Sequence, residues 1–166
     1  MEKTLDCGRP APGCTGSTSD RVLVNRLAYV FGSPHRGQVV VFTAPARASL
    51  CDAHDGGTTF VKRLIGLPGE TVREDGHGFI WIRRPGARTW TRLSEPYVPA
   101  RTRLADTTYL GRSWHVPPGE YFMLGDNRPD SCDSRKWGSV PRSSLIGPVI
   151  FTYWPPGRVS YHFGGW

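Results

Sequence analysis

Thr58-Thr-Phe-Val-Lys-Arg-Leu-Ile65, closed by Gly66-Leu-Pro-Gly69, sets the class of structure this chain adopts. Eight residues rich in β-branched and apolar side chains have strand length, and the Gly/Pro cluster behind them reads as a turn. Similar runs flank it on both sides. Upstream, Gln38-Val-Val-Val-Phe-Thr43 is continuously apolar, as in a strand covered on both faces, and Arg21-Val-Leu-Val-Asn-Arg26 alternates in part. Downstream, Phe79-Ile-Trp-Ile82 and Arg88-Thr-Trp-Thr-Arg92 are separated by Pro85-Gly86, which suggests a hairpin. Glu120-Tyr-Phe-Met-Leu124, Val149-Ile-Phe-Thr-Tyr-Trp154 and Arg158-Val-Ser-Tyr-His162 complete the set. Helical periodicity is nearly absent, with short turns expected only near Asn25 to Phe31 and near Ser143 to Ile146.

The expected fold is mostly β, built from coiled antiparallel sheets. Residues 71–116 are more polar and turn-rich and read as a β-rich lobe inserted into a discontinuous core formed by residues 1–70 and 117–154, with 155–166 as a tail. Composition agrees. In 166 residues there are 20 glycines and 15 prolines, well above ordinary usage, while a 38% hydrophobic share suffices for a core and excludes whole-chain disorder. No run reaches the roughly 18 apolar residues of a membrane helix, and the start lacks a secretory signal pattern. The formal charge of +7 allows an anionic partner. The basic residues Arg83, Arg84, Arg88, Arg92, Arg101, Arg103 and Arg112 are scattered mainly over the lobe, which favours a solvated face or anionic lipid over a nucleic-acid groove. Cys7, Cys14, Cys51 and Cys132 have no zinc-type spacing. Cys7 and Cys14 flank the Gly/Pro-rich stretch 7–19 and could close a small disulfide, or the thiols are free.

Two places could carry chemistry. Lys62 lies within the apolar run, and strand alternation puts it on one face with Phe60 and Leu64, while Arg63 on the other face reads as surface charge. Such a lysine either snorkels to water or is desolvated into a neutral general base. Gly125-Asp-Asn-Arg-Pro-Asp-Ser-Cys-Asp-Ser-Arg-Lys-Trp-Gly138 follows a strand and holds three aspartates. It is either an Asx-rich surface loop or a hydrogen-bonded loop that props up a site, with Asp133 and Arg135 able to pair and Ser131 able to present a hydroxyl. A calcium loop lacks its bidentate glutamate.

Together these stretches resemble the bacterial type I signal peptidases, the Ser/Lys-dyad leader peptidases. Phe60-Val-Lys-Arg-Leu-Ile-Gly-Leu-Pro-Gly-Glu70 is similar to their lysine box, and residues 125–138 to their C-terminal box. Arg36-Gly-Gln-Val-Val-Val-Phe42 is similar to a family strand that usually has aspartate where Gln38 stands. Asp20-Arg-Val-Leu-Val-Asn-Arg26 and Val116-Pro-Pro-Gly-Glu-Tyr-Phe122 match further segments in family order. The resemblance implies the fold of signal peptidases and repressor autoproteases. It also implies an endopeptidase that removes signal peptides after small residues at −1 and −3. Lys62 would be the general base, Ser131 its orienting hydroxyl, and Asp133 with Arg135 a bracing ion pair. Gly125, Asp126 and Asn127 would form the loop beneath. Met1, Leu5, Val22, Val41, Phe60 and Val61 would line shallow substrate pockets, though each also reads as plain core. Trp81, Trp90, Trp114 or Trp154 would represent the family's membrane-facing aromatic surface. The implied partners are secreted preproteins and a phospholipid surface at the extracytoplasmic face of the cell membrane, with no nucleic acid, cofactor or metal.

One departure matters. The family's nucleophile directly precedes the methionine of S-M-x-P-T-L, and this chain begins Met1-Glu-Lys-Thr-Leu5. The serine would therefore stand immediately ahead of Met1, and the chain as written is expected to be inactive. Either the reading frame starts further upstream, with the serine and an anchor, or this is a nucleophile-less homologue that binds signal peptides or partner proteins in the same groove. Ser17 or Ser19 could be substitutes, but nothing in their loop would hold them against Lys62. A self-cleaving repressor would need a helix-turn-helix and an internal cleavage site, and neither is present.

Overall fold

Val39, Val40, Val41 and Phe42 are 3%, 0%, 8% and 0% exposed, so strand β2 (Val39–Thr43) is covered on both faces as its unbroken apolar run requires. The structure, a computed structural model, describes residues 4–5, 18–51 and 58–162. Among them, β2 lies at the centre of a sheet with β1 (Arg21–Val24), β10 (Leu145–Trp154), β3 (Thr59–Gly66), β8 (Glu120–Leu124) and β9 (Val140–Pro141), in the order β1-β10-β2-β3-β8-β9. Strand β11 (Ser160–Tyr161) adds to β10, pairing Phe151 with Tyr161. Every pairing is antiparallel. A second antiparallel sheet, ordered β6-β5-β4-β7, draws β4 (Thr71–Glu74), β5 (Ile80–Arg83), β6 (Thr91–Arg92) and β7 (Ser113–His115) from the segment between β3 and β8. The fold is thus mostly β and antiparallel. The expected hairpin across Pro85-Gly86 pairs Trp81 with Arg92 and Ile82 with Thr91.

Alternation along β2 and β3 sorts side chains into two apolar clusters. Val40, Phe42 and Leu64 join Met123, Tyr121, Trp137 and Val140 on one face. Val39 and Val41 join Leu5 and Val149 on the other, with Val22 and Val61 packed against them. Each buried side chain of this kind contributes roughly 1.5–3 kcal/mol. A third cluster links the sheets: Ile65, Phe122 and Leu124 pack on Val72, Ile80, Ile82 and Val116. Gly66 sits at this crossing, where a Cβ would lie 2.7 Å from Val72 Cγ2 and 2.8 Å from Phe122 Cβ.

Helices are short. Of the two expected turns, one is α1 (Ala28–Phe31) and the other is a 3-10 turn at Arg142–Ser144 that leads into β10. Among the described residues, two further α-helices were not expected from sequence, α2 (Ala100–Ala105) and α3 (Ser134–Trp137). Both are too short for periodicity to show. Asp133 caps α3, its side chain accepting from Arg135 N–H.

Candidate active site

The register of β3 places Lys62 opposite Val40 on β2, hence on the same face as Phe42, Phe60 and Leu64. Its stem runs over an apolar cluster, and Nζ lies 5.5 Å from the centre of the Phe60 ring. Nζ donates to Ser131 Oγ at 3.2 Å, across 69 residues of sequence. Gly125 makes room for this contact. A Cβ there would stand 2.1 Å from Ser131 Oγ, 2.6 Å from Ser131 Cβ and 3.6 Å from Lys62 Nζ, so a side chain would occupy the space the hydroxyl uses. Strand β8 therefore ends in glycine where the loop must fold back over the lysine.

That loop is held by buried charges. Asp133 is fully buried and accepts from Arg135 Nε (2.9 Å), Arg135 Nη2 (2.9 Å) and Gly125 N–H (3.2 Å). Ser134 Oγ accepts from Met123 N–H at 2.9 Å. Arg135, 5% exposed, also reaches Asp106 beside α2, Glu74 on β4 (3.4 Å) and the Arg128 carbonyl (2.8 Å). Arg128, 2% exposed, pairs with Glu95 and donates to the Gly125 carbonyl at 3.1 Å. Every ion pair here is desolvated, so each partner's position is set by the others. The expected pair of Asp133 and Arg135 is present. The acidic partners from residues 71–116 escaped sequence analysis, because a lone Glu74, Glu95 or Asp106 carries no motif.

Arg63 corrects an expectation. It is 7% exposed, not surface charge, because Asp126 takes both its Nε (2.9 Å) and Nη2 (2.7 Å) and the Gly37 carbonyl takes Nη1 (2.7 Å). Its guanidinium stacks 3.8 Å from the Tyr97 ring centre. Thr4 Oγ1 accepts from Arg63 Nη2 and donates to Asp126, so the described start of the chain is pinned to the residue next to Lys62. Asn127, by contrast, turns outward to Asp130. Gln38, where the resemblance suggests aspartate, accepts from Tyr29 OH (3.0 Å) and His35 N–H (2.9 Å) and so closes its own turn. Arg36 Nη2 donates to both carboxylate oxygens of Glu70 beside the Gly66–Gly69 turn, with Glu70 also accepting from Leu67 N–H.

Of the expected pocket residues, Leu5, Val22, Val41 and Val61 fall in one apolar cluster on the Arg63 side of the sheet. Phe60 lies on the Lys62 side, edge-on to Phe42. Met1 lies outside the described residues, as do Ser17, Cys7 and Cys14; Ser19 is exposed. The disulfide within the described residues joins Cys51 to Cys132, a pairing the sequence left open. Of Trp81, Trp90, Trp114 and Trp154, the last is the exposed one, at 46%. Trp90 and Trp81 receive Arg73, and Trp114 packs on Phe122.

Burial would raise Asp133, but its pairing with Arg135 and the charge of Lys62 outweigh this and hold the carboxyl below its usual value. Burial raises Glu74, with Asp106 adding to it and Arg135 opposing. The signs differ. Asp133 contributes stability above the usual aspartate value of 3.8 that is lost as pH falls through its folded value. Glu74 binds its proton more tightly folded than unfolded, so stability falls as pH rises from 4.5 through its folded value. We therefore expect Glu74→Gln to gain stability relative to the parent chain as pH rises through that window. Paired thermal melts from pH 4 upward measure this, and a parallel pair of curves would refute it.

The family model for signal peptidase, peptidase S26, matches residues 13–154. Signal peptidase I of Leptolyngbya laminosa is 34% identical over 145 residues, covering 87% of this chain and 65% of that protein. Signal peptidase I of Mycobacterium tuberculosis is 31% identical over 198 residues, covering 95% and 63%. Signal peptidase I of Bacillus caldolyticus is 30% identical over 158 residues, covering 90% and 78%. A crystal structure of a signal peptidase I from Enterococcus faecalis V583 superposes with a TM-score of 0.52 at 32% identity, covering 71% of this chain and 97% of that one. The chain belongs to the signal peptidase family, peptidase S26. It spans 58–65% of the length of three relatives from Leptolyngbya and Synechocystis.

Proposed function

We propose that the chain forms the catalytic domain of an endopeptidase that removes signal peptides, with Lys62 as general base and a serine immediately ahead of Met1 as nucleophile. One observation carries it: the Lys62 amine meets the Ser131 hydroxyl at 3.2 Å, while the next residue of the strand, Arg63, pins Thr4. Neutral Lys62 would take the serine's proton as its oxygen attacks the scissile carbonyl, and the ammonium would return it to the leaving amine. Ser131 orients the amine, while Asp133, Arg135 and Gly125 fix Ser131. Asp126, through Arg63 and Thr4, holds the approach of the first residues, and Asn127 donates to Asp130 across the exposed turn that follows. The apolar edge of Leu5, Val22, Val41 and Val61 suits small side chains at −1 and −3. Phe60 would complete the pockets from the lysine side, and Met1 is proposed as a further lining residue. Residues 1–70 and 117–154 act as the core, 71–116 as an inserted lobe, and 155–166 as a tail.

We expect the chain extended by one serine ahead of Met1 to cleave a preprotein bearing Ala-x-Ala at its signal junction, while the unextended chain does not. Product mass locates the cut. An extended chain that binds the preprotein without cutting it would favour a binding homologue instead.

A phospholipid surface is the proposed second partner. Phe31, Val30 and Leu27 are 86%, 67% and 63% exposed around α1, which packs on β10. Leu23 and Tyr161 flank Phe151 on that strand, and Trp154 ends it. Among the described residues no helix is long and apolar enough to cross a membrane. Returning a side chain such as Phe31 or Trp154 to water costs about 1.5–3 kcal/mol. We expect Phe31→Ser with Trp154→Ser to weaken partition onto phospholipid vesicles at least tenfold in sedimentation assays.

A further inference from the structure

We propose that the Cys51–Cys132 disulfide is a positioning group for the Lys62–Ser131 contact, so that the basic site is fully formed only in the oxidised chain. The proposal rests on Lys62 and Ser131 being the reacting base and its orienting hydroxyl. Cys132 directly follows Ser131 and directly precedes Asp133. Around it the chain is anchored at two points. Arg128 is fixed by Glu95, and Asp133 by Arg135. Between them Pro129 and Asp130 are exposed, and the Asn127–Asp130 contact that closes the turn is itself exposed. Ser131 thus sits on an arc whose ends are rigid and whose middle faces water.

The disulfide ties that arc to a different element. Cys51 ends the 3-10 turn that follows β2, 81 residues away in sequence, with its Cα 6.1 Å from that of Cys132. Both cysteines pack against the apolar cluster of Phe42, Leu64, Met123 and Trp137, the face from which Lys62 projects. Lysine and hydroxyl are therefore referenced to the same packed core, one through β3 and the other through the disulfide. Breaking the bond removes the tie to the 3-10 turn and leaves Ser131 positioned by the Asp133 end of the arc and by the Lys62 contact itself, and a displacement of about 1 Å in such a site costs on the order of 10²-fold in rate.

A dithiol supplies the reducing equivalents. Its thiolate attacks one cysteine sulfur, the S–S bond breaks, and the mixed disulfide is resolved by the second thiol. The reagent leaves as a cyclic disulfide, and Cys51 and Cys132 each gain a proton.

The test has two readouts. In the chain as it exists, the side-chain amine of isotopically labelled Lys62 is titrated by NMR before and after dithiothreitol, with freed thiols counted by mass. In the serine-extended chain, kcat, KM and the pH profile of cleavage are measured in both states. We expect reduction to shift the Lys62 resonance and its titration midpoint. We also expect kcat to fall at least tenfold with KM nearly unchanged, and the acid limb of the profile to move. Cys51→Ala with Cys132→Ala should reproduce the reduced state and ignore dithiothreitol, whereas Cys7→Ala with Cys14→Ala should remain sensitive to it. Identical Lys62 titrations in oxidised, reduced and doubly substituted chains of unchanged circular dichroism would overturn the proposal. A shifted Lys62 titration in an extended chain that never cleaves would instead sink the peptidase assignment and leave the positioning role standing.

Discussion

Lys62→Ala in the serine-extended chain should lower kcat by roughly 10²- to 10⁴-fold, the range a positioned general base supplies, with little change in KM. A serine hydroxyl is a weak nucleophile until a base takes its proton, and the amine 3.2 Å from Ser131 Oγ is the group proposed for that role. Lys62→Arg should be nearly as inactive, because a guanidinium does not give up its proton in the accessible pH range. Neither change should unfold the protein. The lysine stem lies at the half-buried margin of the sheet, and its strand neighbours Val61 and Leu64 hold β3 in place from both faces. The measurement is the steady-state rate of preprotein cleavage beside a thermal melt of each variant. If Lys62→Ala keeps a tenth or more of the parent rate, Lys62 is not the base. Ser131→Ala offers a graded companion. It removes only the orienting acceptor, so its loss should be smaller than that of the lysine itself.

The strands were legible because their signal is local. Val39 to Phe42 can be continuously apolar only if both faces are covered, and β10 pairs along one side of β2 and β3 along the other. Lys62 stood out as a cation within an apolar run, but alternation left open whether it snorkels or is desolvated, and its proposed role came from resemblance. The proposed roles of Ser131, Asp133 and Arg135 likewise came through resemblance and not through any periodicity. What escaped was long-range electrostatics. Nothing adjacent to Glu74, Glu95 or Asp106 in sequence marks it as buried, since burial there depends on Arg128 and Arg135 arriving from an element decades of residues later. Arg63 was misassigned because alternation tells which face a side chain takes, not whether that face meets water. Here it meets Asp126, Tyr97 and the first residues of the chain. The pairing of Cys51 with Cys132 was likewise hidden, for four cysteines allow three fully paired arrangements and spacing alone does not choose among them.

Arg135→Met should cost about 3–5 kcal/mol, the usual price of removing one partner from a buried ionic cluster. For a domain of this length that corresponds to a fall of roughly 10 °C in Tm, at about 2–4 °C per kcal/mol. Arg135 is the common partner of Asp133, Asp106 and Glu74, all 3% exposed or less. Methionine fills much of its volume but leaves three carboxylates with one fewer cation among them. They can respond only by taking up protons or by opening to water. The first response gives the loss a pH signature. Glu74 is already raised by burial and by Asp106, and without the opposing Arg135 it should rise further. Asp133 loses its main lowering partner as well. Protonated, these groups no longer need the guanidinium, so the Tm deficit should shrink steadily as pH is lowered from 7 toward 4. A simple packing defect would instead give a deficit independent of pH, and that result would show the cluster to be held by shape rather than by charge. Arg135→Lys separates charge from geometry. An ammonium restores the sign but cannot reach three carboxylates and the Arg128 carbonyl with one planar fork, so it should recover only part of the stability. Because Asp133 also receives the Gly125 N–H beneath Ser131, cleavage by the serine-extended Arg135→Lys chain should remain impaired even where its Tm is largely restored.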